Sequence, residues 1–387
     1  MTVRAARRGA ASAADLAAQI DEIRRMPSAA GTLAAMLAEQ SPLFAGRGAN
    51  EAERLRGYIL ASFETARLPP EAVPFVLEEL ETGRNPYTVA AAAHALRGAL
   101  EVPAEAPALL VGAIARLRGS DDVVSFERFE PIPASGNAVT ALADLARTLA
   151  LLGPRAKPAL EDLQALIRVE GETFSPAIRA ELANAAEALA RPGVSAPACS
   201  CAEDGAEPAA PRIAAPFASA TRKDLPDLAL ENQDGTRLSF SDAFSGRPTA
   251  LAFFYTRCIN PEKCSLTVTR IARLARRLVT EELDANVAGI TYDPGFDRPA
   301  RLKTYGADRG MIFSPRCCLL RTVGPFDPLR EAFDLGVGFG PVTVNRHRLD
   351  LVVLDASLGV AERFERRIWH EEPVLDALRG AVTSVST

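Results

Sequence analysis

A continuous apolar run that ends at a pair of cysteines constrains this chain more than any other feature. Residues 250–255 are apolar throughout, and such a run predicts a strand buried on both faces. Cys258 follows the run closely, Cys264 lies six residues further on, and the apolar residues of 266–278 fall near helical spacing. The two thiols therefore lie on a predicted strand–loop–helix turn, where the start of the helix favours a thiolate.

The cysteines occur in three close pairs. Six cysteines in 387 residues are too few for a disulfide-stapled scaffold. Close pairing in a chain without a recognisable export signal indicates metal or redox chemistry instead. The pairs are Cys199 with Cys201, Cys258 with Cys264, and Cys317 with Cys318.

The first and third pairs leave alternatives open. Cys199 and Cys201 lie in a Pro/Ala-rich segment, where they either pass a soft ion or a disulfide to the second pair or have no partner. Cys317 and Cys318 follow one another directly, and the favoured interpretation is that one thiol is buried in a strand. A role as ligand or resolving thiol requires contact with Cys258 or Cys264.

The N-terminal half reads as one helix after another. Pro74, Pro107 and Pro158 each begin a similar apolar pattern, and proline is well tolerated in the first turn of a helix. The recurrence predicts a HEAT-type α-solenoid, with an irregular helical bundle as the alternative. His94 has no potential ligand three or four residues away, so we expect a structural role. The predicted helices are 13–26, 28–40, 50–66, 71–83, 87–100, 104–118, 138–152, 155–169 and 174–190.

Length and pattern together predict two domains of different class. Residues 1–190 form the all-α domain, a helical-repeat domain, and residues 191–224, rich in Pro, Ala, Ser and Gly, form a flexible linker. Residues 225–387 alternate between strand and helix patterns. They predict an α/β domain with a central sheet and helices on both sides.

Composition excludes some classes of function. The formal charge of −5 and the absence of a basic, aromatic-laced patch argue against a nucleic-acid partner. No apolar run approaches the ~20 residues that cross a bilayer, and the basic N-terminus is not followed by the apolar region of a signal peptide. We therefore expect a cytoplasmic protein, or a periplasmic or membrane-associated one if the start of the sequence is misassigned.

The C-terminal half resembles a known family. Residues 226–384 resemble the Sco/SenC proteins, thioredoxin-fold copper chaperones associated with cytochrome oxidase assembly. The resemblance rests on Phe-Phe-Tyr-Thr-Arg-Cys ending at Cys258, on Cys264, on Gly-Ile-Thr-Tyr-Asp-Pro-Gly-Phe-Asp-Arg-Pro at 289–299, and on His347 in Asn-Arg-His-Arg-Leu-Asp. It implies a thioredoxin-like fold, copper bound by Cys258, Cys264 and His347, and a copper-accepting protein as partner.

The chain departs from that family in one feature of the site. The family usually has three residues between the two cysteines, whereas five separate Cys258 from Cys264 here. Thiolates are soft ligands that suit Cu(I), and imidazole also binds Cu(II). Zinc fits the same three ligands plus water, and His347 between two arginines also reads as a surface residue.

Three functions follow from these features. The first is a copper-binding protein that delivers copper to a partner metalloprotein or reduces the partner's thiols. The second is an enzyme, a thiol–disulfide oxidoreductase or peroxide-reducing protein, in which Cys258 attacks and Cys264 resolves. The third is an interaction adaptor that works through the helical repeats.

Overall fold

The computed structural model describes residues 11–129, 139–192 and 225–383. The helical half occupies the first two ranges, and a sheet flanked by helices occupies the third. Nearly all of the predicted linker, including Cys199 and Cys201, lies outside the described residues. The proposed exchange between these two thiols and the second pair therefore stays a prediction.

The N-terminal half is helical, as predicted, and has one continuous apolar core. A solenoid is not established, so the repeat arrangement stays a prediction. A short strand pair joins Val123–Val124 to Val139–Thr140 within this half. The elements are α1 (Ala13–Ile23), α2 (Ala29–Met36), α3 (Ala49–Ala61), α4 (Phe63–Ala66), α5 (Val73–Thr82), α6 (Pro86–Leu96), α7 (Ala106–Leu117), β1 (Val123–Val124), β2 (Val139–Thr140), α8 (Ala141–Leu152), α9 (Leu160–Glu170) and α10 (Pro176–Ala190).

Local sequence explains where these helices begin. Ser12 and Asp15 form a capping box at the start of α1, and the Asn85 side chain accepts a hydrogen bond from the Tyr87 backbone at the start of α6. Two of the recurring prolines, Pro74 and Pro107, lie in first turns, where a missing N–H costs nothing. The third lies in the 3₁₀ turn before α9.

The C-terminal half contains a seven-stranded mixed sheet. Its order is β11-β10-β5-β6-β7-β3-β4, with β5, β6 and β7 parallel and β10 antiparallel to β5. Parallel strands next to an antiparallel pair give the core of a thioredoxin-like fold, so that expectation is confirmed. The elements are β3 (Ala229–Asn232), β4 (Arg237–Ser239), α11 (Phe240–Phe244), β5 (Thr249–Phe254), α12 (Leu266–Thr280), β6 (Asn286–Thr291), α13 (Pro299–Ala307), β7 (Cys317–Thr322), α14 (Asp327–Ala332), β8 (Val337–Phe339), β9 (Val344–His347), β10 (Asp350–Leu354), β11 (Val360–Glu365) and α15 (Glu371–Thr383).

The predicted apolar run forms β5, and every residue of that strand is buried. Apolar clusters cover both faces of the sheet: α12, α13 and α15 contribute to one, and α11 and α14 contribute to the other. The helices thus lie on both sides, as expected. Gly289 at the centre of β6 permits close packing, because a Cβ there would lie 2.8 Å from Cδ2 of Leu319.

A small hairpin that the sequence did not predict carries the candidate histidine. Strands β8 and β9 pair outside the main sheet, and Val337 lies opposite His347. The helical half packs against this hairpin. The Asn345 side chain donates hydrogen bonds to the carbonyl oxygens of Phe44 and Arg47, at 2.7 and 3.0 Å. The hairpin is thereby fixed between the two halves.

Candidate metal centre

Three residues from separate parts of the C-terminal half meet at one point. The Nε2 atom of His347 lies 3.5 Å from the Sγ atom of Cys258 and 3.5 Å from that of Cys264. The three potential ligand atoms all lie within 4.8 Å of one another. The structure therefore brings together the three residues that the sequence singled out.

The two cysteines lie in the connection between strand β5 and helix α12. Cys258 follows β5 and is partly exposed, whereas Cys264 is fully buried in a π-helical turn, Pro261–Ser265, that leads into α12. The Asn260 side chain accepts a hydrogen bond from the Glu262 backbone and begins that turn. A π-helical turn accommodates extra residues and is frequent at functional sites. The longer loop between the cysteines thus still brings both sulfurs to one histidine.

Asp297 anchors the chain just before Cys258. This buried carboxylate accepts hydrogen bonds from the backbone N–H of Thr256, at 3.0 Å, and from the hydroxyl groups of Thr256 and Thr291. Burial raises the pKa of Asp297 and outweighs the opposing effect of these hydrogen bonds. Asp297 lies in the 289–299 motif of the sequence analysis, so that motif holds the end of β5 and the start of the cysteine loop.

The imidazole of His347 is held in one orientation. Its Nδ1 lies 2.9 Å from the carbonyl oxygen of Arg348, and a carbonyl can only accept, so Nδ1 carries the proton. The Nε2 atom then faces the two sulfurs, which is the arrangement of a metal-binding histidine. The rings of Tyr255 and Tyr292 lie 5.3 and 5.6 Å from the imidazole. His347 is buried, so the alternative of a surface histidine is wrong.

The two thiols differ in acidity. The pKa of Cys258 is lowered to about 3, chiefly by a hydrogen bond from the Cys264 thiol. Burial opposes this effect, and His347 adds to it. Burial and the neighbouring Cys258 raise the pKa of Cys264 well above its ordinary value. In the metal-free protein, Cys258 is thus the thiolate and Cys264 the protonated partner.

The donor set fits a soft metal ion. Ligands that share one ion at about 2.0–2.3 Å lie on the order of 3.5–4.5 Å apart, and each sulfur lies 3.5 Å from Nε2 of His347. Two sulfurs and one imidazole nitrogen suit copper in either oxidation state, and zinc with a water. Among the described residues, no other group of three or more His, Cys, Asp or Glu side chains could hold a metal ion.

The remaining candidates lie elsewhere. Cys317 is buried in β7 and Cys318 is partly buried beside it, and burial raises their pKa values to about 11 and 12. Neither belongs to the metal-binding group, which supports the packing interpretation. His94 lies 2.6 Å from a Glu64 carboxylate oxygen, a contact that the local sequence did not reveal.

Residues of the helical half that the sequence analysis missed also reach the site. The Lys263 ammonium group lies 2.7 Å from Oε1 of Glu78 and 2.9 Å from the carbonyl oxygen of His347. Nearby, Asn260 donates a hydrogen bond to the Thr82 carbonyl, and Glu262 pairs with Arg84. Three of the five residues between the cysteines therefore bind the helical half.

These contacts belong to a larger group of buried charges. The seven members are linked by ion pairs and have side chains exposed by 10% or less. A signal was present, because Glu78 and Glu79 are adjacent acids that follow the apolar first half of α5. We call the group the interdomain charge cluster; it consists of Glu39, Arg56, Glu78, Glu79, Lys263, Arg346 and Arg366.

Part of this chain matches a known protein family. Residues 220–316 match the family model described as SCO1/SenC. No curated protein sequence matches the chain. The family match covers both cysteines and the Asp297 motif and ends before His347.

Similar solved structures each match about two fifths of this chain. A SCO1/SenC family lipoprotein from Bacillus anthracis is 20% identical, with 42% of this chain and 99% of that chain covered and a TM-score of 0.36. Bradyrhizobium japonicum ScoI with copper bound is 22% identical, with 39% and 96% covered and a TM-score of 0.32. A cysteine-to-serine mutant of PrxQ from Xylella fastidiosa is 17% identical, with 42% and 94% covered and a TM-score of 0.32.

Proposed function

We propose that this protein binds copper through Cys258, Cys264 and His347 and passes it to a partner protein or reduces that partner's thiols. The observation that carries the proposal is the approach of both sulfurs to Nε2 of His347, at 3.5 Å each. The SCO1/SenC match at residues 220–316 supports it, and copper is bound in the ScoI structure from Bradyrhizobium japonicum.

The residues present have distinct roles in such a site. Cys258 is partly exposed and supplies a thiolate at neutral pH, whereas Cys264 and His347 complete the ligand set from within. Bound copper would be held by soft sulfur, which stabilises Cu(I). Partial exposure at Cys258 gives an accepting thiol a side from which to approach. The described residues contain no helix that is both long and apolar enough to cross a membrane.

Copper titration of the purified full chain tests the proposal. We expect one Cu(I) per chain by competition with a chromophoric chelator, and a sulfur-to-copper charge-transfer band with Cu(II). Cys258→Ser should abolish the band and weaken Cu(I) binding by more than about 100-fold, since loss of an outer-shell partner alone costs about 10–100-fold. Cys318→Ser is the matched control and should bind as the parent does. Parental affinity in Cys258→Ser would refute the proposal.

A thiol–disulfide oxidoreductase is the second candidate, and the acidity of Cys258 favours it. A thiolate next to a protonated thiol is the arrangement in which Cys258 attacks a disulfide and Cys264 resolves the mixed disulfide. Turnover of insulin disulfide or of peroxide, lost in Cys258→Ser, would support this activity. Tight copper binding without turnover would favour the copper function.

A further inference from the structure

The interdomain charge cluster is not electrically neutral. It contains four cations, Arg56, Lys263, Arg346 and Arg366, and three carboxylates, so it carries one surplus positive charge. Two guanidinium nitrogens, Nη2 of Arg56 and Nε of Arg346, have no hydrogen-bond partner in the described part of the chain. Water is largely excluded from the cluster, so its charge is weakly screened.

The two halves of the protein contribute opposite charges to the cluster. All three carboxylates and Arg56 come from the helical half, whereas the other three cations come from the C-terminal half. Packing of the helical half therefore reduces the buried charge on the C-terminal side from three positive charges to one. The helical half sets the size of the remaining charge.

Two cations of the cluster, Lys263 and Arg346, are chain neighbours of proposed ligands. Lys263 precedes Cys264 and donates a hydrogen bond to the carbonyl oxygen of His347, and Arg346 precedes His347. A single positive charge acts differently on different bound ions. A monovalent ion with two thiolates and a neutral imidazole carries one negative charge, which the cluster attracts. A divalent ion with the same ligands is neutral and gains no such attraction.

We propose that the interdomain charge cluster makes the Cys258–Cys264–His347 site selective for monovalent copper, and that the acids of the helical half tune this selectivity. The inference rests on the proposed function, because it concerns the same three ligands. In this proposal Glu79 and Lys263 act on the bound ion through their charges and do not bind it. The loop between Cys258 and Cys264 has five residues instead of the expected three, and it places Lys263 beside Glu78.

Two substitutions of opposite sign test the proposal in the full chain. Lys263→Met removes the surplus charge, and Glu79→Gln increases it to two. We expect the ratio of Cu(I) to Zn(II) affinity to fall about tenfold in the first variant and to rise about tenfold in the second, as one unit charge at roughly 10 Å and an effective dielectric constant of about 20 requires. Zn(II) is the divalent probe because it is redox-inert.

The controls separate charge from folding. Lys263→Arg keeps the charge and should restore the parental ratio, and Lys303→Met removes an exposed lysine that pairs with Asp234 and should leave the ratio unchanged. If the cluster had only a structural role, both test variants would bind Cu(I) and Zn(II) more weakly, and the ratio of the two affinities would stay constant. That result would overturn this inference but not the proposed function. If the parent protein binds neither ion through its cysteines, the proposed function fails as well.

Discussion

The Nδ1 atom of His347 donates a hydrogen bond to the carbonyl oxygen of Arg348, 2.9 Å away. This contact between neighbouring residues fixes the orientation of the ring, so that Nε2 faces both cysteine sulfurs. A histidine held in this way already directs toward the two sulfurs the ring nitrogen that would bind a metal.

His347→Ala should weaken the metal site without unfolding the protein. We expect the Cu(II) charge-transfer band to shift or vanish and the Cu(II) affinity to fall by more than about 100-fold, because only two sulfurs remain. Cu(I) should be affected less, since thiolates alone hold it. His370→Ala is the matched control, because His370 is exposed and lies beside Arg270. Equal spectra for the parent and His347→Ala would argue against a ligand role.

The two site cysteines should react very differently in the metal-free protein. The pKa of Cys258 is about 3, below its ordinary value, so this thiol is ionised at pH 5, whereas the raised pKa of Cys264 keeps that thiol protonated there. Brief iodoacetamide treatment at pH 5, followed by peptide mass spectrometry, should find Cys258 alkylated. Cys264 and the buried Cys317 should stay unmodified. Equal labelling of Cys258 and Cys264 would contradict the assignment.

Asp297→Asn should loosen the start of the cysteine loop. The amide offers one acceptor oxygen where the carboxylate accepts from Thr256 and Thr291, and a buried donor left unpaired costs about 1–3 kcal/mol. We expect that loss in the free energy of unfolding, measured with urea, together with weaker copper binding. Asp308→Asn, at an exposed carboxylate, is the control. Unchanged stability and affinity in Asp297→Asn would show that the anchor is dispensable.

Acid should destabilise the contact between the two halves. Burial alone would raise the pKa of Glu39, but Arg366 and Arg56 together outweigh burial and lower this pKa to about 2. A lowered folded-state pKa gives stability that is present above the unfolded value of 4.5 and is lost as the pH falls toward 2. This one carboxylate accounts for on the order of 3 kcal/mol. Urea unfolding at several pH values should show the loss, and Glu39→Gln should make the curve shallower. A curve of the same steepness in that variant would refute the assignment.

Periodic elements were the predictable part of this structure. The apolar run before Cys258 predicted β5, and the helices of residues 13–190 were predicted with ends that differ by a few residues, because amphipathic spacing and caps are local signals. The β8–β9 hairpin was missed, since its strands have three and four residues and carry too little periodicity.

The site was predictable in its ligands but not in its surroundings. His347 was identified through a family resemblance, because nothing in the local sequence links it to cysteines 83 and 89 residues away. The pairing of Lys263 with Glu78 spans 185 residues and depends on how the two halves pack. The adjacent acids Glu78 and Glu79 follow the apolar first half of α5 and indicated buried charge, but their partners became clear only in three dimensions.

The order in which a ribosome makes the chain gives the charge cluster a further consequence. Glu39 and Arg366 pair across 327 residues, so at 5–20 residues per second the acid emerges roughly 16–65 s before its partner. During that interval Arg56 is the only cluster cation available to the cluster carboxylates Glu39, Glu78 and Glu79. The surface of the helical half that will cover the cysteine loop stays hydrated. The interdomain charge cluster is therefore complete only after nearly the whole protein has been translated.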